Sequence, residues 1–171
     1  MLEKEPIYVA SKNNDKIKEI QEILTEYQII PIKDLKIDVV EDENTFEKNA
    51  IKKAITISKS LSGKLCIADD SGIEIEYLDG FPGVNTKRWY KGTDRQRNLE
   101  ILKKLEGIPK GKRKVNFITA IAIAKNNECI VEKAKLQGYI SLDIRGNNGF
   151  GFDEIFELEN GKTLAELTAS E

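Results

Sequence analysis

Apolar positions recur along this chain with two different periods. Ile7-Tyr8-Val9-Ala10 is a short apolar run and predicts a buried strand, followed by a polar turn over Ser11 to Asp15. Ile17, Ile20, Leu24 and Tyr27 then return at helical spacing with charges between them, which predicts an amphipathic helix. Ile29 to Ile32 predicts a second strand, closed by Pro31 and the Lys33-Asp34 that follows. Asn44 with Glu47 has the spacing of a variant capping box. Behind it, Phe46, Ala50, Ala54, Ile57 and Leu61 form the apolar stripe of a second helix, ended by Gly63.

Leu65 to Ala68 is an apolar run opening into Asp69-Asp70-Ser71-Gly72, placed at a strand end. Ile73, Ile75 and Tyr77 alternate with Glu74 and Glu76 as in a half-buried strand. Asp79 to Gly83 is turn-rich. Thr93 and Gln96 open a third helix carrying Leu99, Leu102 and Leu105, and the basic run Lys110 to Lys114 predicts a solvated connector. Val115 to Ala124 and Cys129 to Leu136, joined by Asn126-Asn127, predict a hairpin. Gly146 to Gly149 is a loop leading into Phe150-Gly151-Phe152-Asp153. Strands and helices are interleaved, so the expected class is α/β around a mixed sheet.

The chain has 171 residues, a length that fits one domain with its own core. Its 27 basic and 29 acidic side chains leave a net charge of -2, which argues against a general nucleic-acid binder. The absence of histidine excludes a His-based triad, a His-ligated zinc site and a His general base. Cys66 and Cys129 sit in apolar runs and read as reduced, buried thiols of a cytoplasmic protein. The N-terminus has the pattern of neither a signal peptide nor a membrane span.

Four segments could carry chemistry. Ser11-Lys12-Asn13-Asn14-Asp15-Lys16 joins a strand to a helix N-terminus, where free N–H groups and the helix dipole suit a phosphate. Taken alone it is first a well-capped helix start, and it lacks the glycines of a Walker A loop. Asp69-Asp70-Ser71-Gly72 sets two carboxylates side by side, which is costly unless a cation or donor compensates. Asp70-Ser71-Gly72 is also the aspartic-protease triplet, but that chemistry needs a second such segment, and none is present. Glu41-Asp42-Glu43, with Glu47 beyond, reads alone as a solvated helix entrance. Combined with Asp69 and Asp70 it offers hard oxygen ligands, which suit Mg²⁺, with Mn²⁺ as the alternative. In Phe150-Gly151-Phe152-Asp153 an aromatic can stack on a base and a carboxylate can accept from a ring N–H.

The order of these pieces is more specific than any one of them. Ser-x-Asn-x-x-Lys at Ser11 to Lys16 is followed by Glu41, Thr45-Phe46-x-x-Asn49-Ala50, Ala68 to Gly72 and Phe81-Pro82-Gly83-Val84. Asn148 to Asp153 and Gly161-Lys162-Thr163-x-Ala165-Glu166-Leu167 complete the series. From about Ile7 to Leu167 this resembles the inosine triphosphate pyrophosphatase family. The resemblance implies a single domain over residues 1–171: an elongated, two-lobed α/β fold around a central mixed sheet with flanking helices, and a cleft between the lobes. It implies hydrolysis of ITP, dITP and XTP to the monophosphate and pyrophosphate by a Mg²⁺-dependent cytoplasmic homodimer, with no nucleic-acid or membrane partner. It assigns the triphosphate to Ser11, Lys12, Asn13, Asn14, Asp15 and Lys16, and the metal to Glu41, Asp69 and Asp70. Asp70 is the base for the attacking water, with Asp69 the first alternative. Ser71 is a substrate contact, and Phe150, Gly151, Phe152 and Asp153 line the base pocket.

The family's Asp-Pro after the aromatic-Gly-aromatic is Asp153-Glu154 here, its Pro-Gly-Val-Tyr is Pro82 to Asn85, and a family glycine before Gly138 is Ala134. The family's Lys and Ser-His-Arg segment would lie past Glu171, so the expectation is that a C-terminal segment is missing. A nucleotide-binding homologue with reduced or lost catalysis is the alternative function. A second enzyme reading, the septum-inhibitor type of pyrophosphatase, matches the opening motif less well and leaves Phe150 to Asp153 unexplained.

Overall fold

The computed structural model, which describes residues 4–32, 37 and 39–168, is an α/β fold built on one mixed seven-stranded sheet with flanking helices. The strands are β1 (Ile7–Val9), β2 (Ile29–Pro31), β3 (Cys66–Ile75), β4 (Phe81–Pro82), β5 (Lys114–Lys125), β6 (Glu128–Ile140) and β7 (Phe156–Glu157). The helices are α1 (Asn14–Ile23), α2 (Phe46–Ser60) and α3 (Asp94–Lys104). The strand order is β2-β1-β3-β5-β6-β7, with β4 beside β3. β1 runs parallel to β2 and β3, whereas β4 and β7 are antiparallel to β3 and β6. Pro31 is tolerated because β2 is an edge strand, where a missing N–H costs no ladder bond.

The chain forms two compact units. One comprises Met1–Ser71 and Thr119–Ala134, the other Gly72–Ile118 and Lys135–Glu171. In the first, Ile7, Val9, Ile17 and Ile67 are buried together, with Ile20, Leu24, Ile29 and Leu65 packed on them. α2 buries Phe46, Ala50, Ala54 and Ile57, the stripe read from the sequence. Its stop is Gly63, at φ +80°, whose N–H donates to the Ser58 carbonyl at 2.8 Å. A Cβ there would stand 1.7 Å from Asn126 Oδ1, a side-chain atom that could move aside, so it is the left-handed backbone that calls for glycine. The second unit is built on Ile73, Ile75, Ile101, Leu105, Val115, Ile140, Phe152, Ile155 and Phe156.

Several sequence expectations are corrected. α1 ends at Ile23, before Tyr27, because the chain must turn to lay β2 beside β1; Tyr27 stands half exposed under the Lys4 ammonium. The Lys33-Asp34 close of the second strand lies outside the described residues. The cap of α2 is Thr45, not Asn44: its extended backbone lets the hydroxyl accept the Lys48 N–H at 3.1 Å, and Glu47 pairs with Lys133 instead. The Thr93 and Gln96 capping box forms and Leu105 is buried as read, but Leu99 is exposed, and Asn98 and Ile101 face inward in its place. Tyr77 has left the strand for a 3-10 turn and is exposed.

The basic connector is not wholly solvated either. Arg113 is buried, and its guanidinium donates to the carbonyls of Leu105 and Ser141 at 2.6 Å and of Ile108 at 2.8 Å. The end of α3 exposes carbonyls that no intrahelical N–H can reach, and Arg113 satisfies one of them.

Candidate active site

The turn after β1 caps α1 from within. Asn13 Oδ1 accepts the Asp15 N–H at 2.9 Å and Ser11 Oγ accepts the Asn13 N–H at 3.2 Å, while Lys12, Asn14 and Asp15 are exposed. Lys16, in the first turn, does not reach into solvent. Its ammonium donates to Asp69 Oδ2 and lies 3.3 Å from Ser71 Oγ, and the Ser71 hydroxyl donates to the same Asp69 oxygen at 3.2 Å.

Asp69 to Gly72 lies inside β3 rather than at a strand end, because β3 runs unbroken from Cys66 to Ile75. In an extended strand successive side chains point to opposite faces. Asp69 and Ser71 therefore share one face and one partner, Lys16. Asp70 turns the other way and accepts from Asn49 Nδ2 at 2.9 Å. The period of the strand separates two carboxylates that are adjacent in sequence.

Their protonation differs accordingly. Burial would raise the Asp69 carboxyl, but the charge and hydrogen bond of Lys16, the charge of Lys53 and the Ser71 hydroxyl outweigh it and hold it below its ordinary value. Asp70 is pushed up to about 6, by burial first and by the charge of Glu41, against the Asn49 hydrogen bond and the charges of Lys53 and Lys16. Lys16 and Lys53 act on both carboxylates, so these charges form one cluster within one unit.

Two members of that cluster were not singled out as site residues from the sequence. Lys53 binds Glu41, and Asn49 joins the acidic segment to β3. Asn49 is buried, donates to Asp70, and accepts the Glu43 N–H on Oδ1 at 3.0 Å. The available signal was helical: positions 46, 49, 50 and 53 share one face of α2, so a polar pair there lies beside the apolar stripe. Asn49→Ala should unpair both the Glu43 N–H and Asp70. We expect a loss of about 1–3 kcal/mol in denaturant unfolding, together with reduced turnover. Unchanged stability would show that water replaces the amide without cost.

The loop from Gly146 is placed in the other unit. Phe152 is buried in its core, whereas Phe150 is half-buried. Asp153 Oδ2 accepts the Phe150 N–H at 2.9 Å and thereby closes the loop on itself. Burial pushes the Asp153 carboxyl up, against that hydrogen bond, and the Asp94 charge adds to the rise. Gly151 lies in the left-handed region, at φ +64°.

A lysine bound to one carboxylate, a second carboxylate turned to the opposite face, and an acidic segment tied to it define a charged, oxygen-rich centre on an α/β sheet. A model of the Ham1 family matches residues 7–171, and the chain belongs to that family. It is 40% identical to the dITP/XTP pyrophosphatase of Clostridium perfringens, over 95% of this chain and 86% of that protein. Among solved structures, a HAM1 protein from Coxiella burnetii matches with a TM-score of 0.86 at 34% identity, covering 98% of this chain and 89% of that one. The Staphylococcus aureus Ham1 protein matches with a TM-score of 0.84 at 35% identity, covering 96% and 88%.

Proposed function

We propose that this chain hydrolyses the non-standard purine nucleoside triphosphates ITP, dITP and XTP to the monophosphate and pyrophosphate, clearing them from the nucleotide pool. The observation that carries this is the 40% identity, over nearly the whole chain, to a protein named dITP/XTP pyrophosphatase. The charged cluster around β3 supports it chemically.

Ser11 to Lys16 would receive the triphosphate at the start of α1, where the positive end of the helix dipole favours negative charge. Lys16 adds positive charge there, and Asp69 with Ser71 sets its direction. Asp70 would take the proton from the attacking water. Without the ion, burial and the charge of Glu41 raise its carboxyl to about 6, and a bound cation would lower it again, so it is ionised and able to accept a proton at neutral pH. As the water oxygen bonds to the α-phosphorus, the bond from that phosphorus to the bridging oxygen breaks and pyrophosphate leaves. Phe150 would stack on the base, and Asp153 would accept the ring N–H that hypoxanthine and xanthine carry and adenine lacks.

The implied Mg²⁺, with Mn²⁺ as the alternative, suits this donor set. Among the described residues no group of three or more His, Cys, Asp or Glu side chains is placed to hold a metal. Mg²⁺, however, commonly takes one or two carboxylates and completes its shell with water and substrate phosphates. Asp70 and Glu41 offer such a pair, close enough for the charge of Glu41 to raise Asp70. When bound, the ion would neutralise phosphate charge. Asp69, engaged by Lys16, acts in this reading as the counter-ion that orients the lysine.

The test is pyrophosphate release from ITP and ATP, with and without EDTA. We expect release from ITP to exceed that from ATP, to stop with EDTA and to return with Mg²⁺. Release of orthophosphate would overturn the reaction, and activity that survives EDTA or requires Zn²⁺ would overturn the metal assignment. The reading extends to a cytoplasmic homodimer, tested by mass in solution and by cell fractionation. No described helix is long and apolar enough to cross a membrane.

A further inference from the structure

We infer that Asp94 and Asn98, on the first turns of α3, are positioning residues for purine recognition: they grip Gly151 from both sides and set how Phe150 and Asp153 are presented. This rests on the proposed reading of Phe150 to Asp153 as the base-recognising segment.

The grip uses both polar groups of one residue. The Gly151 N–H donates to Asp94 Oδ2 at 3.2 Å, and the Gly151 carbonyl accepts from Asn98 Nδ2 at 2.9 Å. The same amide nitrogen of Asn98 stands 3.3 Å from Glu154 Oε2, so the far end of the segment is held as well. Asn98 is fully buried and takes an inward position on α3, in line with Ile101 and Leu105. Packing alone would favour an apolar side chain there. Its Oδ1 has no hydrogen-bond partner among the described residues, so Asn98 is retained at a cost that its Nδ2 contacts must offset.

Gly151 needs such fixing. Nothing lies within 4 Å of where its Cβ would be, so crowding does not restrain it, and its left-handed backbone is one that glycine leaves easily. The rest of the segment is anchored elsewhere: Phe152 in the core, and the Phe150 N–H on Asp153. Gly151 lies between those anchors. With it held, the half-buried Phe150 ring and the Asp153 carboxyl keep one relative placement, and stacking and ring N–H recognition both depend on that placement. Without the grip, the Phe150 platform becomes one of several conformations and binding energy is lost in restoring it.

The test compares Phe150→Ala, Asp94→Ala, Asp94→Asn and Asn98→Ala by steady-state pyrophosphate release from ITP and ATP, with thermal melting of each. Phe150→Ala and Asp94→Ala should each raise KM for ITP by about tenfold, the order of one lost stacking contact, with kcat little changed. Selectivity for ITP over ATP should fall in both. Asp94→Asn should restore KM, because an amide oxygen still accepts the Gly151 N–H even though the ion pair with Arg97 is gone. A merely structural role for Asp94 would instead make Asp94→Asn and Asp94→Ala alike in melting and leave KM unmoved. If Phe150→Ala leaves KM and selectivity unchanged, the base-recognising reading fails and the inference fails with it. If Phe150→Ala raises KM while folded Asp94→Ala does not, the reading stands and the inference is overturned. Should Asn98→Ala not fold, the two Asp94 variants decide the matter.

Discussion

Asp70→Asn should keep the fold and lose turnover of ITP by ~10²–10⁴-fold, the usual weight of a general base. Loss of a carboxylate from the proposed ion site would add to that. Asparagine is nearly isosteric with aspartate and can still meet Asn49, so the bridge from α2 to β3 is retained. What disappears is the group proposed to take a proton. Burial and Glu41 already oppose the charge of Asp70, so neutralising it also removes a repulsion, and melting should hold or rise. The measurement is pyrophosphate release alongside circular dichroism and thermal melting. A rate near that of the unsubstituted protein would move the base elsewhere. Asp69 would then be the first suspect, although Lys16 and Ser71 occupy its Oδ2.

Lys16→Ala carries the second large effect, on two quantities at once. Removing a charge-assisted contact to phosphate should raise KM for ITP by about 10–100-fold, the equivalent of ~1.5–3 kcal/mol. It should also destabilise the protein, because Asp69 is only 8% exposed and would remain buried without its counter-ion. Breaking such a pair from one side costs about 3–5 kcal/mol when fully buried, and less here, where the lysine side chain is 17% exposed. The double variant Lys16→Ala with Asp69→Asn should recover stability but not KM, which separates the two roles. Acid unfolding gives a further reading. The Asp69 carboxyl is held below its ordinary value, so the pair stabilises fully above the ordinary carboxylate range and loses that contribution as pH falls through the depressed value. Lys16→Ala should remove this dependence. An unchanged KM at low salt would reduce Ser11 to Lys16 to a capped helix start.

Local features were legible in the sequence because local physics decides them. The apolar stripe of α2, the capping box at Thr93 and Gln96, the stop at Gly63 and the hairpin across Asn126-Asn127 each depend on residues a few positions apart. The order of the motifs was likewise enough to suggest the family, since that order is itself a property of sequence.

Facing and partnership were not legible. Asp69-Asp70-Ser71-Gly72 has the composition of a turn, yet it stays extended because Lys16 and Asn49, 53 and 21 residues away, meet its side chains from opposite faces of the strand. Arg113 reads in the sequence as one more solvated cation, yet three carbonyls surround it, and nothing in the sequence of α3 marks Asn98 as the residue that meets the loop at Gly151. In each case the energy lies in pairing a buried polar group, and a buried polar group is paired by whatever the tertiary fold brings beside it. The sequence alone determined which elements form and the chemistry they carry. Only the tertiary structure decided which charges meet, because those contacts are set by distance in space rather than by spacing along the chain.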